Sequence, residues 1–110
     1  SRNTNTTDYN KEARTVQVEA AFPGGPAVWK FFLEKNKFKV GVDSSDGKTA
    51  VVSFLVSSEG RVSEVNVENA DKIDAGMARK VKSLIANGPK WIPAINYGKN
   101  VPYREKKLIL

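Results

Sequence analysis

An alternating run in the middle of the chain constrains the fold most. Segment 49–56, TAVVSFLV, is followed by the turn sequence SSEG, in which Gly60 can adopt a positive φ, and by the returning segment RVSEVNVE. Successive side chains of a strand point to opposite faces, so this pattern predicts an antiparallel hairpin with one apolar face. The returning valines at 62, 65 and 67 break strict alternation, which predicts a bulge or a strong twist. The apolar face of the first strand consists of Ala50, Val52, Phe54 and Val56.

Two flanking segments have the 3.6-residue period of helices. The first follows FPGGP at 22–26, where Pro23-Gly24-Gly25 forces a turn and Pro26 suits the first turn of a helix over 26–36. The second covers 72–86, with Asp71 as the expected N-cap and Asn87-Gly88-Pro89 as the stop signal. The apolar faces are Trp29, Phe32 and Leu33, beside Asn36, in the first helix and Ile73, Met77, Val81, Leu84 and Ile85 in the second.

The remaining segments complete a β-α-β-β-α-β order. TVQVEA at 15–20 predicts a short strand through Val16 and Val18, and the tail 101–110 has extended character after a crossover. Two amphipathic helices need an apolar surface, which one face of a small antiparallel sheet supplies. The predicted fold class is therefore α+β, with two layers and both helices on one face of the sheet. Residues 1–14 are polar and predict a linker or tether end, and 15–110 form one domain.

Composition excludes several classes of function. The chain has no cysteine and no histidine, so zinc fingers, thiol nucleophiles and histidine-based catalysis are excluded. The net charge of +6 raises the question of nucleic-acid binding. The basic clusters are interrupted at Glu34 and Glu105, however, which favours a solvated surface. We predict no enzyme activity and no catalytic, cofactor or metal site. Trp29 lies on an apolar helix face and is expected in the core, whereas for Trp91 both core and an exposed ligand platform stay open.

The charged final strand suggests an interaction site instead. Charges at 104–107 suit an edge strand better than a central one. An edge exposes unpaired backbone N–H and C=O groups, onto which an extended partner can add a strand. The predicted partner-binding residues are Tyr103, Arg104, Glu105, Lys106, Lys107 and Leu108.

An ordered set of residues over about 19–103 carries a family resemblance. It comprises Phe22-Pro23-Gly24-Gly25, Trp29, Phe32-Leu33, Asn36, the hairpin pattern with Gly60, Ala78, Val81, Trp91-x-Pro93-Ala94 and Gly98-Lys99-x-Val101. With this set the chain resembles the TonB C-terminal domain, particularly the form found in Bacteroidetes-type energy transducers. It departs from that pattern at Phe38-Lys39, where the family usually has Tyr-Pro, and in the charge of its last strand.

The resemblance implies a periplasmic module tethered to the inner membrane through an N-terminal segment. It would pair with the extended TonB box of an outer-membrane transporter and transmit energy for uptake from inner-membrane motor proteins. We predict no cofactor and no nucleic-acid partner, and whether the domain also pairs with a second copy stays open. The alternative is a TonB-like envelope or lipoprotein domain with a structural or protein-interaction role and no transducing activity.

Overall fold

The computed structural model describes residues 15–39 and 49–109 and confirms an α+β domain. None of the helices in these two ranges is long and apolar enough to cross a membrane. The predicted linker 1–14 lies outside the described residues. The helices are α1 (Pro26–Lys35) and α2 (Ala75–Ala86), and the strands are β1 (Ala50–Val56), β2 (Val62–Val67), β3 (Ala94–Asn96), β4 (Lys99–Val101) and β5 (Tyr103–Ile109).

The main sheet has the order β2-β1-β5, with β1 in the centre and antiparallel to both neighbours. The β1–β2 register shifts between Ser53, which faces Asn66, and Leu55, which faces Ser63. The two residues between Ser63 and Asn66 therefore oppose one residue of β1, and the first of them, Glu64, has a φ of 52°. This is the bulge that the valine spacing predicts, and it returns the next valines to the apolar face.

The β1–β2 turn depends on a glycine for two reasons. Gly60 has a φ of 85°, which side-chain-bearing residues rarely adopt. The backbone of Trp91 also lies against it, and Trp91 N donates a 2.9 Å hydrogen bond to the Gly60 carbonyl. A Cβ at position 60 would lie 2.1 Å from the Trp91 carbonyl oxygen. The turn thus anchors the segment containing Trp91 at the end of the β1–β2 hairpin.

Helix α1 begins as predicted. Gly25, with a φ of 87°, is the N-cap, and Pro26 is the first helical residue, where its missing N–H costs no hydrogen bond. At the other end Lys37 has a φ of 67°, and Phe38 N donates a 2.7 Å bond to the carbonyl of Leu33. This closes the last turn, and the Leu33 carbonyl also accepts a 3.1 Å bond from Asn36 N.

The predicted N-cap of α2 is wrong. Asp71 lies in a separate 3₁₀ turn, Ala70–Lys72, and Ile73 after it has extended backbone, which separates this turn from the helix. The cap is Asp74, whose Oδ2 accepts a 3.0 Å hydrogen bond from Met77 N. The first N–H groups of the helix thus lie within reach of Asp74 and not of Asp71.

The strand predicted at 15–20 is also wrong. This segment forms only isolated bridges, Val18 with Ile95 and, just beyond it, Ala21 with Ile92. The two bridges lie three residues apart, out of phase with the two-residue repeat of an antiparallel ladder, and Pro93 has no N–H with which to extend the Val18–Ile95 bridge.

The predicted crossover contains a second sheet. Strands β3 and β4 pair as a hairpin, Ala94 facing Val101 and Asn96 facing Lys99. Its turn residues Tyr97 and Gly98 both have positive φ, 51° and 74°, as a two-residue hairpin turn of type I′ requires. The observed order is therefore α-β-β-α-β-β-β, in place of the predicted β-α-β-β-α-β.

Aromatic rings link α1 to the main sheet. Trp29 and Trp91 are 6% and 4% exposed, so Trp29 is in the core as predicted and, of the two alternatives for Trp91, core is the correct one. Ring centroids lie 5.1 Å apart for Phe22 and Trp29, 5.4 Å for Trp29 and Trp91, and 5.0 Å for Trp91 and Phe54. Since Phe54 belongs to the fully buried face of β1, this chain of rings places α1 over that face.

Helix α2 covers the same face of the sheet. Its side chains Val81 and Ile85 are 0% and 2% exposed and belong to the same core cluster as Phe54 and Trp29. The Phe54 face of the sheet is therefore the inner face, and the side without helices is called the open face below.

Candidate functional site

Strand β5 lies at one end of the main sheet. It pairs with β1 over seven residues without interruption, from Ala50 opposite Ile109 to Val56 opposite Tyr103. Within 15–39 and 49–109 no strand pairs with its other side. The edge position that the charge pattern predicts is therefore confirmed for the described part of the chain.

The backbone groups of β5 that point outward follow from the hydrogen bonds of β1. The carbonyl of Val51 accepts a 2.7 Å bond from Glu68 N, and Val51 N donates a 2.9 Å bond to Asn69 Oδ1, so both backbone groups point toward the β2 side. In an antiparallel ladder residues alternate in the side to which they bond. The even-numbered residues of β1 therefore bond to β5, where their partners are residues 103, 105, 107 and 109. Lys106 and Leu108 in turn direct N–H and C=O away from β1, toward the outer edge.

On the inner face β5 carries an ion pair whose carboxylate is buried and whose ammonium side chain is partly exposed. Glu105 is 4% exposed, and Lys107 Nζ lies 3.4 Å from its Oε2. The same Nζ lies 6.0 Å from the ring centroid of Trp29 and 5.9 Å from that of Trp91. The ammonium group thus contacts a carboxylate and two aromatic rings, which ties the edge strand to the aromatic cluster of the core.

Burial changes the acidity of two side chains of β5. It raises the pKa of Glu105 above its ordinary value, and Lys107 opposes this shift without cancelling it. Burial also raises the pKa of Tyr103, as do the carboxylates of Glu19 and Glu105, and the Tyr103 hydroxyl donates a hydrogen bond to Glu19. The edge strand is thus connected to the segment that precedes α1.

On the open face, two ion pairs cross the central strand. Arg104 Nη2 lies 2.8 Å from Glu64 Oε1, and Lys106 Nζ lies 3.3 Å from Glu68 Oε1. Both pairs join β5 to the β2 side, and beneath them Ser53 of β1 is only 7% exposed. Exposed ion pairs contribute about 0–1 kcal/mol each, so their main effect here is to cover β1 with polar groups.

The structure divides the six predicted binding residues into two sets. The sequence treats them as one charged segment, but alternation along β5 separates them into an inner and an open set. The inner set is Tyr103, Glu105 and Lys107, and the open set is Arg104, Lys106 and Leu108.

The sequence analysis also missed a residue beside the site. Glu19 reaches Tyr103 across 84 positions of sequence, a contact for which no local pattern gives a signal.

Neither a metal cluster nor a known relative adds information on the site. In the described part of the chain, no group of three or more acidic, histidine or cysteine side chains is placed to hold a metal ion. Comparison with protein-family models, with curated proteins and with solved structures gives no match. The interpretation of the site therefore depends on the geometry of β5.

Proposed function

We propose that this chain is a non-catalytic peptide-binding module that accepts an extended partner by strand addition at the outer edge of β5. The observation that carries the proposal is the outward direction of the backbone groups of Lys106 and Leu108, derived from the bonds of Val51. Each hydrogen bond formed there contributes about 1 kcal/mol net. A few such bonds, less the cost of ordering the partner, support a modest and reversible affinity.

The partner we propose is the TonB box of an outer-membrane transporter. The domain would act in the periplasm, tethered through a segment N-terminal to residue 15, and would transmit pull from inner-membrane motor proteins to the transporter. The support is the resemblance, together with the location of its residues. Phe22, Trp29 and Trp91 of the resembling pattern form the aromatic cluster under β5, and Gly60 contacts the Trp91 backbone.

Two neighbouring proline substitutions test the proposal. Lys106→Pro removes an N–H that points to the outer edge, and Lys107→Pro removes one that bonds to β1. We expect Lys106→Pro to keep the fold and to weaken peptide binding at least about tenfold, since a hydrogen bond is lost and the ring obstructs the added strand. Lys107→Pro should destabilise the domain by at least about 1 kcal/mol, because it removes a ladder hydrogen bond. Lys106→Ala, which keeps the N–H, is the matched control for the lost charge.

Binding is measured by calorimetry with a synthetic TonB-box peptide of a transporter from the same organism, and folding by thermal unfolding. Chemical shifts of the Lys106 and Leu108 amides report where the peptide lies. If Lys106→Pro binds as tightly as the parent chain, or if the shifts map to β2 instead, the proposal is wrong.

A further inference from the structure

A cleft lies beside β5 on the inner side of the sheet. Its volume is about 300 Å³, and its described walls are segment 19–22, Gly25 and Pro26 at the start of α1, Trp29, and Lys107 of β5. Of the described residues, none from β1, β2 or α2 contributes a wall. The cleft is therefore on the β5 side of the helical layer, next to the edge proposed above for strand addition.

The walls of the cleft combine aromatic residues with one basic and one acidic residue. Phe22 and Trp29, whose ring centroids are 5.1 Å apart, are buried and line the cleft. Lys107 contributes an ammonium and Glu19 a carboxylate. An apolar occupant would bury surface against these residues, beside an ammonium that already has the Glu105 carboxylate as its partner.

The backbone register determines which residue of an added strand reaches this cleft. Lys106 and Leu108 direct their backbone groups outward, so an antiparallel added strand forms a non-hydrogen-bonded pair with Lys107. The residue directly opposite Lys107 then projects its side chain to the same inner face, with Cβ atoms about 4.5–5.5 Å apart. Its neighbours on either side project to the open face.

We infer that the cleft is a side-chain pocket that selects an aromatic residue of the docked peptide, at the position facing Lys107. This inference rests on the proposed function. An aliphatic side chain would gain burial alone. An aromatic ring would in addition make edge-to-face contacts with Trp29 and Phe22 and offer its π-face to the Lys107 ammonium.

Three capped seven-residue peptides of alternating threonine and valine test the inference. They differ only at the central position, a valine position in the alternation, which carries phenylalanine, leucine or alanine. We expect the phenylalanine peptide to bind about tenfold more tightly than the alanine peptide, with leucine between them. Only the phenylalanine and leucine peptides should shift the indole N–H resonance of Trp29, whereas all three should shift the amides of Lys106 and Leu108.

Two substitutions one residue apart test the contribution of the Lys107 ammonium to the preference for phenylalanine. Lys107→Met should reduce the preference for phenylalanine over leucine, whereas Lys106→Met, on the open face, should leave it unchanged. Thermal unfolding confirms that both variants are folded.

The outcomes separate the pocket from the edge. If all three peptides shift the Lys106 and Leu108 amides and bind with equal affinity, the pocket inference is wrong and strand addition stands. A phenylalanine preference that persists unchanged in Lys107→Met overturns the role of the ammonium. If none of the peptides shifts the Lys106 and Leu108 amides, both strand addition and the pocket inference are wrong.

Discussion

Replacing Gly60 with alanine tests how the hairpin turn holds Trp91. Position 60 has a φ of 85°, and a methyl group there would lie 2.1 Å from the carbonyl oxygen of Trp91. Gly98 is the matched control, because its φ is 74° and nothing lies within 4 Å of a Cβ built on it. Both substitutions impose a left-handed backbone on alanine, and only the one at Gly60 also displaces a neighbour.

The magnitudes follow from these geometries. Left-handed backbone costs about 1–2 kcal/mol, which is the whole expected effect of Gly98→Ala. Gly60→Ala must in addition move Trp91, which weakens the 2.9 Å hydrogen bond worth about 1 kcal/mol. It also shifts a ring packed against Trp29 and Phe54, for which about 1–3 kcal/mol is typical of an overpacked core. We expect Gly60→Ala to lose about 4 kcal/mol of unfolding free energy.

Urea unfolding followed by tryptophan fluorescence measures both variants, because both tryptophans of the chain are buried. The comparison depends on the difference between the variants, in which the shared backbone penalty largely cancels. Unfolding free energies that agree within about 0.5 kcal/mol would refute the claim that the close approach of Trp91 requires glycine at position 60.

Three further predictions concern other parts of the domain. Trp29→Ala should lower the unfolding free energy by about 3–5 kcal/mol, and a melting temperature equal to that of the parent chain would contradict its place in the core. Because burial raises the pKa of Glu105 above its ordinary 4.5, the folded state holds this proton more tightly than the unfolded state. The unfolding free energy of the parent chain relative to Glu105→Gln should therefore fall as the pH rises above 4.5 and level off above the folded-state pKa. Urea titrations over this pH range measure the difference, and a difference that rises with pH would contradict the prediction. Asp74→Ala should cost about 1 kcal/mol in thermal unfolding and Asp71→Ala close to none, and equal losses would mean that the N-cap is assigned wrongly.

Local rules were sufficient for the parts of the fold that have strong periodicity. The alternation of 50–56 and the valine spacing after Gly60 predict both the hairpin and its bulge, because burial of one face forces the register. The turn chemistry of 22–26 predicts the start of α1 at Pro26. The charges of 104–107 predict an edge, since a strand flanked on both sides would have to bury more of them.

The elements that the sequence did not predict lack such periodicity. Strands β3 and β4 have three residues each, too few for an alternating pattern, and Tyr97 occupies a turn position where asparagine is the usual signal. The choice of Asp74 over Asp71 as N-cap depends on where the first helical N–H groups lie, which composition does not determine.

The candidate site was predictable as a segment but not as two faces. The residues of β5 that direct N–H and C=O outward are determined by the pairing of Val51 with the β2 side. That pairing is a contact between distant parts of the chain. The contact of Lys107 with Trp29 and Trp91 likewise requires the tertiary structure.

The two ion pairs that span β1 also limit how this protein can associate. Stacking a second sheet on that surface would dehydrate four charged side chains, at a cost of several kcal/mol per ion. Face-to-face sandwiching is therefore disfavoured, and lateral growth of the sheet past β5 needs no such dehydration. The same charges keep the open face hydrated. An extended partner peptide is therefore directed to the outer edge of β5.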